Sequence, residues 1–260
     1  MVGQIGHLRD MFLAARYRCD TADVSSSEEF SRARSEQISR SFYDQLGADG
    51  LASRTRAEWD EQVVAAVVEL LPARARVLDV GCGYGRVALP LARAGFDVDG
   101  LDLADNLIDA ARGSAHDAGL RIGFTVGSMT RLPYPSASFD AAICLWSAFH
   151  ELLDEEAQAE TVSELWRVLR PGGFALVEGP LYEEPGELDI KSGGRRGPEY
   201  RIVWRLVEGV PNPHYAHDSQ SLRRVCDAAG VSSFDVFERV WGGRQRLFLR
   251  LDKPHHRRGR

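Results

Sequence analysis

Val77-Leu78-Asp79-Val80-Gly81-Cys82-Gly83-Tyr84-Gly85-Arg86 is the stretch on which the fold turns. A strand pattern over Arg76–Val80 ends in three spaced glycines, and helical periodicity begins at Val87 and ends before Gly95. That pattern predicts a strand, a tight turn and a helix. The glycines permit positive φ and let a ligand approach the backbone. The helix start beyond them would offer unpaired N–H groups. Asp79 stands just before the glycines, and a second acid, Asp102, closes the next strand, Phe96–Leu101. An acid about 20 residues on accepts hydrogen bonds from ribose hydroxyls in this class of sheet, whose ligands bind at the carboxyl ends of the strands.

Two nucleotide chemistries compete for this motif. A dinucleotide fingerprint needs a third small residue, and in the frame from Gly81 that place belongs to Arg86. Asp79 would also repel a pyrophosphate, whereas it would attract an ammonium group. The ligand that fits is a nucleoside with a cationic amino-acid tail, which is the chemistry of S-adenosylmethionine. No G-x-x-x-x-G-K-[ST] occurs, so a P-loop is excluded. The competing reading is a glycine-rich turn that binds nothing.

Outward from the motif, strands alternate with helices. Thr55-Arg56-Ala57-Glu58 fits a capping box ahead of Trp59, Val63, Val67 and Leu70. Asn106–Ala118 reads as a helix, and Asp154 can cap another whose apolar face is Val162, Leu165, Trp166 and Leu169. Ile122–Val126, Phe139–Leu145 and Phe174–Glu178 read as strands. The alternation predicts an α/β fold: a Rossmann-like, mostly parallel sheet. Near the end, Asp218 can cap a helix carrying Leu222, Val225, Cys226 and Ala229. Phe234–Val240 and Arg246–Leu251 flank Gly242-Gly243 and predict an antiparallel hairpin. Residues 1–53 are polar and helix-prone, with Ser25-Ser26-Ser27-Glu28-Glu29 as a helix start, and are expected to form a lid. Residues 54–260 then form the main domain, with an insertion at about 180–217, rich in Gly, Pro and charge. In it Tyr200, Ile202 and Trp204 alternate like a strand, and Arg195-Arg196 would suit an acidic substrate group.

Composition narrows the class. The chain has 260 residues, 44% hydrophobic and 27% charged, which suits one large globular domain. A net charge of −6 gives no whole-molecule attraction to nucleic acid or anionic membranes. Cys19, Cys82, Cys144 and Cys226 are scattered without metal spacing and read as reduced core residues. No apolar run reaches the roughly 18 residues of a membrane helix, and residues 1–22 lack a signal-peptide core, so a cytoplasmic location is expected. Lys occurs only at 191 and 253, against a large excess of Arg. Arg codons are mostly G/C-rich, so the bias reads as a high-GC bacterial genome.

From about Tyr43 to Leu251 the chain resembles the class I S-adenosylmethionine-dependent methyltransferases, most of all the small-molecule branch. The matching pieces are Val77–Gly85, Gly100-Leu101-Asp102-Leu103, Leu132-Pro133-Tyr134 ahead of Phe139-Asp140, and the Arg167-Val168-Leu169-Arg170-Pro171-Gly172-Gly173 turn. The terminal hairpin agrees with the family's seven-stranded sheet and its antiparallel last strand. The resemblance implies that Asp79 orients the methionine ammonium and that Gly81 and Gly83 open the backbone to the methionine part. It implies that Asp102 binds both ribose hydroxyls and that Leu103 lies against adenine. Ser128 stands where the family usually has an acid for the adenine amino group, beside Met129. Leu145 and Trp146 would flank the transferred methyl, and Tyr43 of Phe42-Tyr43-Asp44 would close over the cofactor. No metal is implied.

Methyl transfer needs alignment of acceptor and methyl above all, and a hydroxyl acceptor also needs a base. His150, just past the fourth strand, is the expected base, and His214 and His217 form a second cluster with Tyr215. The motifs of the adenine-N6, glutamine, cytosine-C5 and radical enzymes are absent, as is the acid-rich gate of aminopropyl transferases. The expected acceptor is a small molecule and not nucleic acid, modified at oxygen or nitrogen, as in tailoring of a bacterial secondary metabolite. RNA or protein methylation, or S-adenosylmethionine binding without catalysis, are the alternatives.

Overall fold

The structure, a computed structural model, describes residues 31–181, 201–207, 209–241 and 243–255. In chain order it places α1 (Arg32–Ala52), α2 (Ala57–Leu70), β1 (Arg76–Val80), α3 (Ala88–Arg93), β2 (Asp97–Asp102), α4 (Asp105–Asp117), β3 (Gly123–Val126) and β4 (Phe139–Cys144). A 3-10 turn (Ala148–Glu151), α5 (Glu155–Val168), β5 (Leu169–Pro180), β6 (Ile202–Val207), β7 (Val210–Tyr215), α6 (Ser219–Ala228), β8 (Phe234–Trp241) and β9 (Arg244–Asp252) follow.

Seven strands form one sheet in the order β3-β2-β1-β4-β5-β9-β8. β1 to β5 run parallel, and β9 is antiparallel to both β5 and β8. β1 and β4 are apolar nearly throughout because both of their faces are covered. On one face Leu78, Val80 and Phe139 pack with Val162 and Leu165 of α5 and Leu222 and Val225 of α6. On the other, Val77, Val98 and Ile143 pack with Val63 and Val67 of α2, Leu91 of α3 and Ile108 of α4. The chain leaves β1 toward β2 and β3, then returns to β4 on β1's other side. The strand order reverses there, and a crevice opens at the carboxyl ends of β1 and β4.

α1, interrupted at Gly47 (φ 67°), crosses that crevice. Its tethers are polar. Leu153 N–H donates to Ser35 Oγ (3.3 Å), Asn106 Nδ2 donates to the Tyr43 carbonyl (2.8 Å), and Arg32 pairs with Glu160 (2.5 Å). β6 and β7 form a separate antiparallel pair with Ile202 opposite Tyr215 and Val203 opposite His214.

Several local expectations need correcting. Thr55 caps nothing: its hydroxyl donates back to the Ala52 carbonyl (2.8 Å), and α2 starts two residues later with Arg56 at the cap. Leu169 belongs to β5, where it pairs with Phe139, because β5 begins before the Gly172 turn and not after it. The Asp218 cap is present as a full capping box with Ser221. Cys82, Cys144 and Cys226 are free and buried. Cys19, Ser25–Glu29, Arg195-Arg196 and Tyr200 lie outside the described residues. Among the described residues, no helix is long and apolar enough to cross a membrane.

Candidate active site

A cleft of about 1060 Å3, its open mouth included, lies over the carboxyl ends of β1, β2 and β4 and under α1. All ten residues that the sequence singled out for the cofactor line it, from Tyr43 to Trp146. The glycine loop forms its floor. Gly81 has φ 74°, and a Cβ there would lie 2.5 Å from that of Ala148. The first three N–H groups of the loop are spent on β2. Gly81 and Cys82 donate to the Leu101 carbonyl (2.7 and 3.0 Å), and Gly83 donates to Asp102 Oδ2 (2.7 Å). The helix beyond starts only at Ala88. At that helix start the Ala88 N–H bonds the Asp79 carboxylate, so this terminus faces an acid and not a phosphate.

Two buried acids face the cleft instead. Asp102 accepts from Gly83 and, through Oδ1, from Ala104 N–H (2.9 Å). The Leu103 N–H also bonds it; a carboxylate accepts about four hydrogen bonds, so capacity for a further hydroxyl remains. Asp79 is different: its Oδ2 is buried with no partner. Burial, then the charge of Asp102, push its carboxyl up to about 7, and the Ala88 N–H offsets part of this. A buried acid left unpaired is costly; a cationic group entering the cleft would pair with it. The orphaned Asp79 oxygen and the bare Gly81 floor fit the ammonium and chain of an amino acid, and Asp102 fits a ribose.

Ser128 and Met129 follow β3. Ser128 Oγ donates to Glu36 Oε1 of α1 (2.6 Å) and pairs with Thr130 Oγ1 (2.8 Å). At the end of β4, Trp146 and Ser147 both take positive φ, 57° and 76°. Left-handed backbone costs of order 1–3 kcal/mol at each non-glycine residue, so it must be held. Trp146 N–H donates to buried Glu178 (2.8 Å), Arg246 pairs with Glu178, and Arg246 Nη2 reaches Ser147 Oγ (3.1 Å). The Arg86 guanidinium lies 3.6 Å over the Trp146 ring while its Nε bonds Asp60 (2.8 Å). The residue that spoils a dinucleotide fingerprint thus clamps the indole against the cleft.

The strained corner leads into the 3-10 turn, where side chains of successive residues diverge by roughly 120°. Glu151 faces the cleft and accepts from the Tyr43 hydroxyl. Burial raises its carboxyl to about 7, against the hydrogen bonds of Tyr43 and Ser39. His150 faces the other way. Its ring fills the space left by the missing side chain of Gly179 and sits 4.9 Å from the His217 ring. None of His150, His214 and His217 lines the cleft. This corrects the expectation that His150 faces the reacting methyl. His217 Nδ1 pairs with Ser221 Oγ (3.1 Å), and burial lowers both His150 and His217, the latter to about 3. Among the described residues, no three His, Cys, Asp or Glu side chains are placed to hold a metal ion. Sequence reasoning passed over Glu151 although it adjoins His150. Glu36 carried no sequence signal, because only tertiary docking of α1 brings it to the cleft.

The methyltransferase domain family matches residues 77–173, which span the glycine loop, both acids and the 3-10 turn. The chain is 37% identical to an S-adenosyl-L-methionine-dependent Diels-Alderase of Talaromyces variabilis, over 65% of this chain and 58% of that one. It is 31% identical to a ubiquinone biosynthesis O-methyltransferase of Methylocella silvestris, over 65% and 64%. The chain spans about half the length of the curated relatives it matches. Its fold is shared with the 1,6-didemethyltoxoflavin-N1-methyltransferase of Burkholderia thailandensis, solved with bound S-adenosylhomocysteine (TM-score 0.64, 19% identity, 86% of this chain and 91% of that one). Sheet order, the acid-lined cleft and these likenesses agree: residues 77–173 match a methyltransferase domain, and the chain has the Rossmann-like fold of the S-adenosylmethionine-dependent methyltransferases.

Proposed function

We propose that this chain methylates an oxygen or nitrogen of a small metabolite, in the tailoring of a bacterial secondary metabolite. The observation that carries the reading is Asp79, a buried acid whose free oxygen faces the cleft beside Asp102 and the bare glycine floor. S-adenosylmethionine, when bound, supplies an electrophilic methyl on a sulfonium. Asp79 would take its ammonium, Asp102 its ribose hydroxyls, and Leu103 would lie against adenine. Leu145 and Trp146 would form the wall beside the reacting centre, held rigid by Arg86, Glu178 and Arg246. Positioning of this kind supplies most of the acceleration in a displacement. Glu151 would hold the acceptor, and a carboxylate oxygen would take its proton where the acceptor is a hydroxyl. A base near neutrality suits that task. His150 could serve only if its ring left the Gly179 notch, as could His214 or His217 only by leaving their own packing. Similarity to the ubiquinone biosynthesis O-methyltransferase supports a small acceptor. A net charge of −6 gives no whole-molecule attraction to RNA, which favours a small acceptor.

A second reading rests on the Diels-Alderase relative: the same cleft would hold the cofactor while a substrate cyclises beside it, without methyl transfer. Labelled S-adenosylmethionine, incubated with the protein and a metabolite extract, separates the readings. A labelled small product with release of S-adenosylhomocysteine is expected. Label in bulk RNA or protein alone would overturn the small-acceptor reading. Cofactor bound but never consumed would favour the second.

A further inference from the structure

The sheet orders the ligand along the cleft. Asp79 ends β1 and would take the amino-acid tail, and Asp102 ends β2 and would take the ribose. β3 lies beyond β2, so the base falls at the end of β3, over Gly127, Ser128 and Met129. The register agrees: Asp102 is opposite Val126, and Gly127 N–H donates to the Asp102 carbonyl (2.9 Å). Adenine presents an amino donor on its pairing edge, so this end of the cleft needs an acceptor.

Ser128 cannot be that acceptor, because its hydroxyl is full. A hydroxyl offers one proton and two lone pairs. Its proton goes to Glu36 Oε1 (2.6 Å), so Thr130 Oγ1 must be the donor in their 2.8 Å contact, and Thr130 N–H occupies the second lone pair (3.2 Å). Met129 and Gly127 bring no polar side chain. Glu36, half-buried on α1, is a carboxylate lining the cleft at this point, with one of its acceptor sites used by Ser128.

We propose that Glu36 of the lid helix reads the adenine amino group, with Ser128 and Thr130 as the relay that aims it. The inference rests on S-adenosylmethionine being the cofactor. It makes base recognition a property of the closed lid: the acceptor reaches the base only when α1 is docked by Ser35, Tyr43 and Arg32. The rest of the ligand is held from the sheet.

Calorimetry on the full chain tests it with two probes, S-adenosylhomocysteine and its 6-keto analogue S-inosylhomocysteine. The analogue puts an acceptor oxygen where adenine has a donor. A charge-assisted hydrogen bond predicts a preference of about 10- to 100-fold for the adenine form in the native protein. Glu36→Gln should bring the two affinities within about threefold, since an amide can donate to the keto oxygen. Glu36→Asp, which withdraws the charge by one methylene, should also lose most of the preference. A lid merely loosened would weaken both probes equally and keep the ratio, which is why the ratio is read. A native-sized ratio in both variants overturns this assignment alone. Failure of the native protein to bind S-adenosylhomocysteine overturns the cofactor reading and this inference with it.

Discussion

Glu151 and His150 are neighbours on one 3-10 turn, and they belong to opposite regions of the molecule. In front of the turn, Asp79, Asp102 and Glu151 face the cleft, and burial pushes all three carboxyls up. Behind it, His150 and His217 pack between β5, β7 and α6, and burial pushes both imidazoles down. Desolvation does the same thing in both regions: it favours the neutral form. The difference lies in what each region can receive. The front is open to a ligand, so its acids can be ionised again by an incoming cation. The back is closed by aromatic packing of His217 on Phe149 and Tyr215, so its histidines are held neutral. Strong perturbation of a titratable group thus marks function only where a cavity adjoins it.

The sharpest way to break this contrast is Asp79→Asn. If the front acid exists for a cation, the variant should lose on the order of 100-fold or more in S-adenosylhomocysteine affinity, as for removal of one partner of a buried charge pair. The same change should stabilise the ligand-free protein. Asp79 titrates at about 7 in the fold against 3.8 ordinarily. Its stabilising protonated state is complete below pH 3.8 and is lost as pH rises to about 7, so the native acid is a burden at pH 8. Asparagine removes that burden, by roughly 2 kcal/mol or about 5 °C in Tm. A variant that binds normally, or that is destabilised at pH 8, would dissolve the distinction between the two regions.

Glycine substitutions sharpen it next. A Cβ on Gly179 would overlap the His150 ring, and the backbone there has ordinary φ. Gly179→Ala should cost roughly 1–3 kcal/mol by overpacking and leave S-adenosylhomocysteine affinity within about threefold, since no cleft residue is displaced directly. Gly81→Ala meets Ala148 and carries φ 74° as well, so it should damage ligand affinity in addition to stability. Paired thermal melts and calorimetry on both variants decide whether the regions fail separately. Equal loss of affinity in both would show that the histidine region belongs to the site.

The acid limb of stability isolates the back region. His217 titrates at about 3 in the fold against 6.5 ordinarily. Its contribution is present above pH 6.5 and is lost as pH falls toward 3, because the unfolded chain takes up the proton that the native state refuses. His217→Gln should flatten the fall in Tm between pH 6.5 and 4.5 by about 2 kcal/mol equivalent. The front acids slope the other way over the same window, so Asp79→Asn should steepen it. An unchanged acid limb in His217→Gln would mean that the ring is not sealed from water.

These regions were not equally legible in the sequence. The glycines, Asp79 and Asp102 were readable because backbone conformation and strand ends fix where they stand, whatever surrounds them. The hairpin was readable because alternation and a glycine pair encode it locally. His150 and Glu151 could not be told apart, because a single 3-10 turn has no periodicity to show which neighbour faces inward. The notch at Gly179, a strand away in sequence, decides that, and no local pattern reports it. Glu36 was invisible for the same reason. Thr55 shows the converse failure: a correct capping pattern lost to a carbonyl at the end of the preceding helix.

The smallest effect concerns the bond that joins α1 to the front region. The Tyr43 hydroxyl donates to Glu151 and so favours its ionised form, against burial and the charge of Asp102. Tyr43→Phe removes that donor and leaves Ser39, so the Glu151 midpoint should rise from about 7. A net hydrogen bond of about 0.5–1.5 kcal/mol corresponds to a rise of up to about one pH unit. Carbon-13 shifts of labelled glutamate carboxyls, followed from pH 5 to 9 on the ligand-free protein, would report it without any acceptor. Turnover on a hydroxyl acceptor should then fall at pH 7, by a few-fold, and recover by pH 9, because only the ionised fraction of the base has changed. A midpoint that stays put or falls would show that Tyr43 does not tune the carboxyl. A midpoint shift without any change in the pH profile would remove Glu151 from the proton path and reduce the pair to a latch between α1 and the turn.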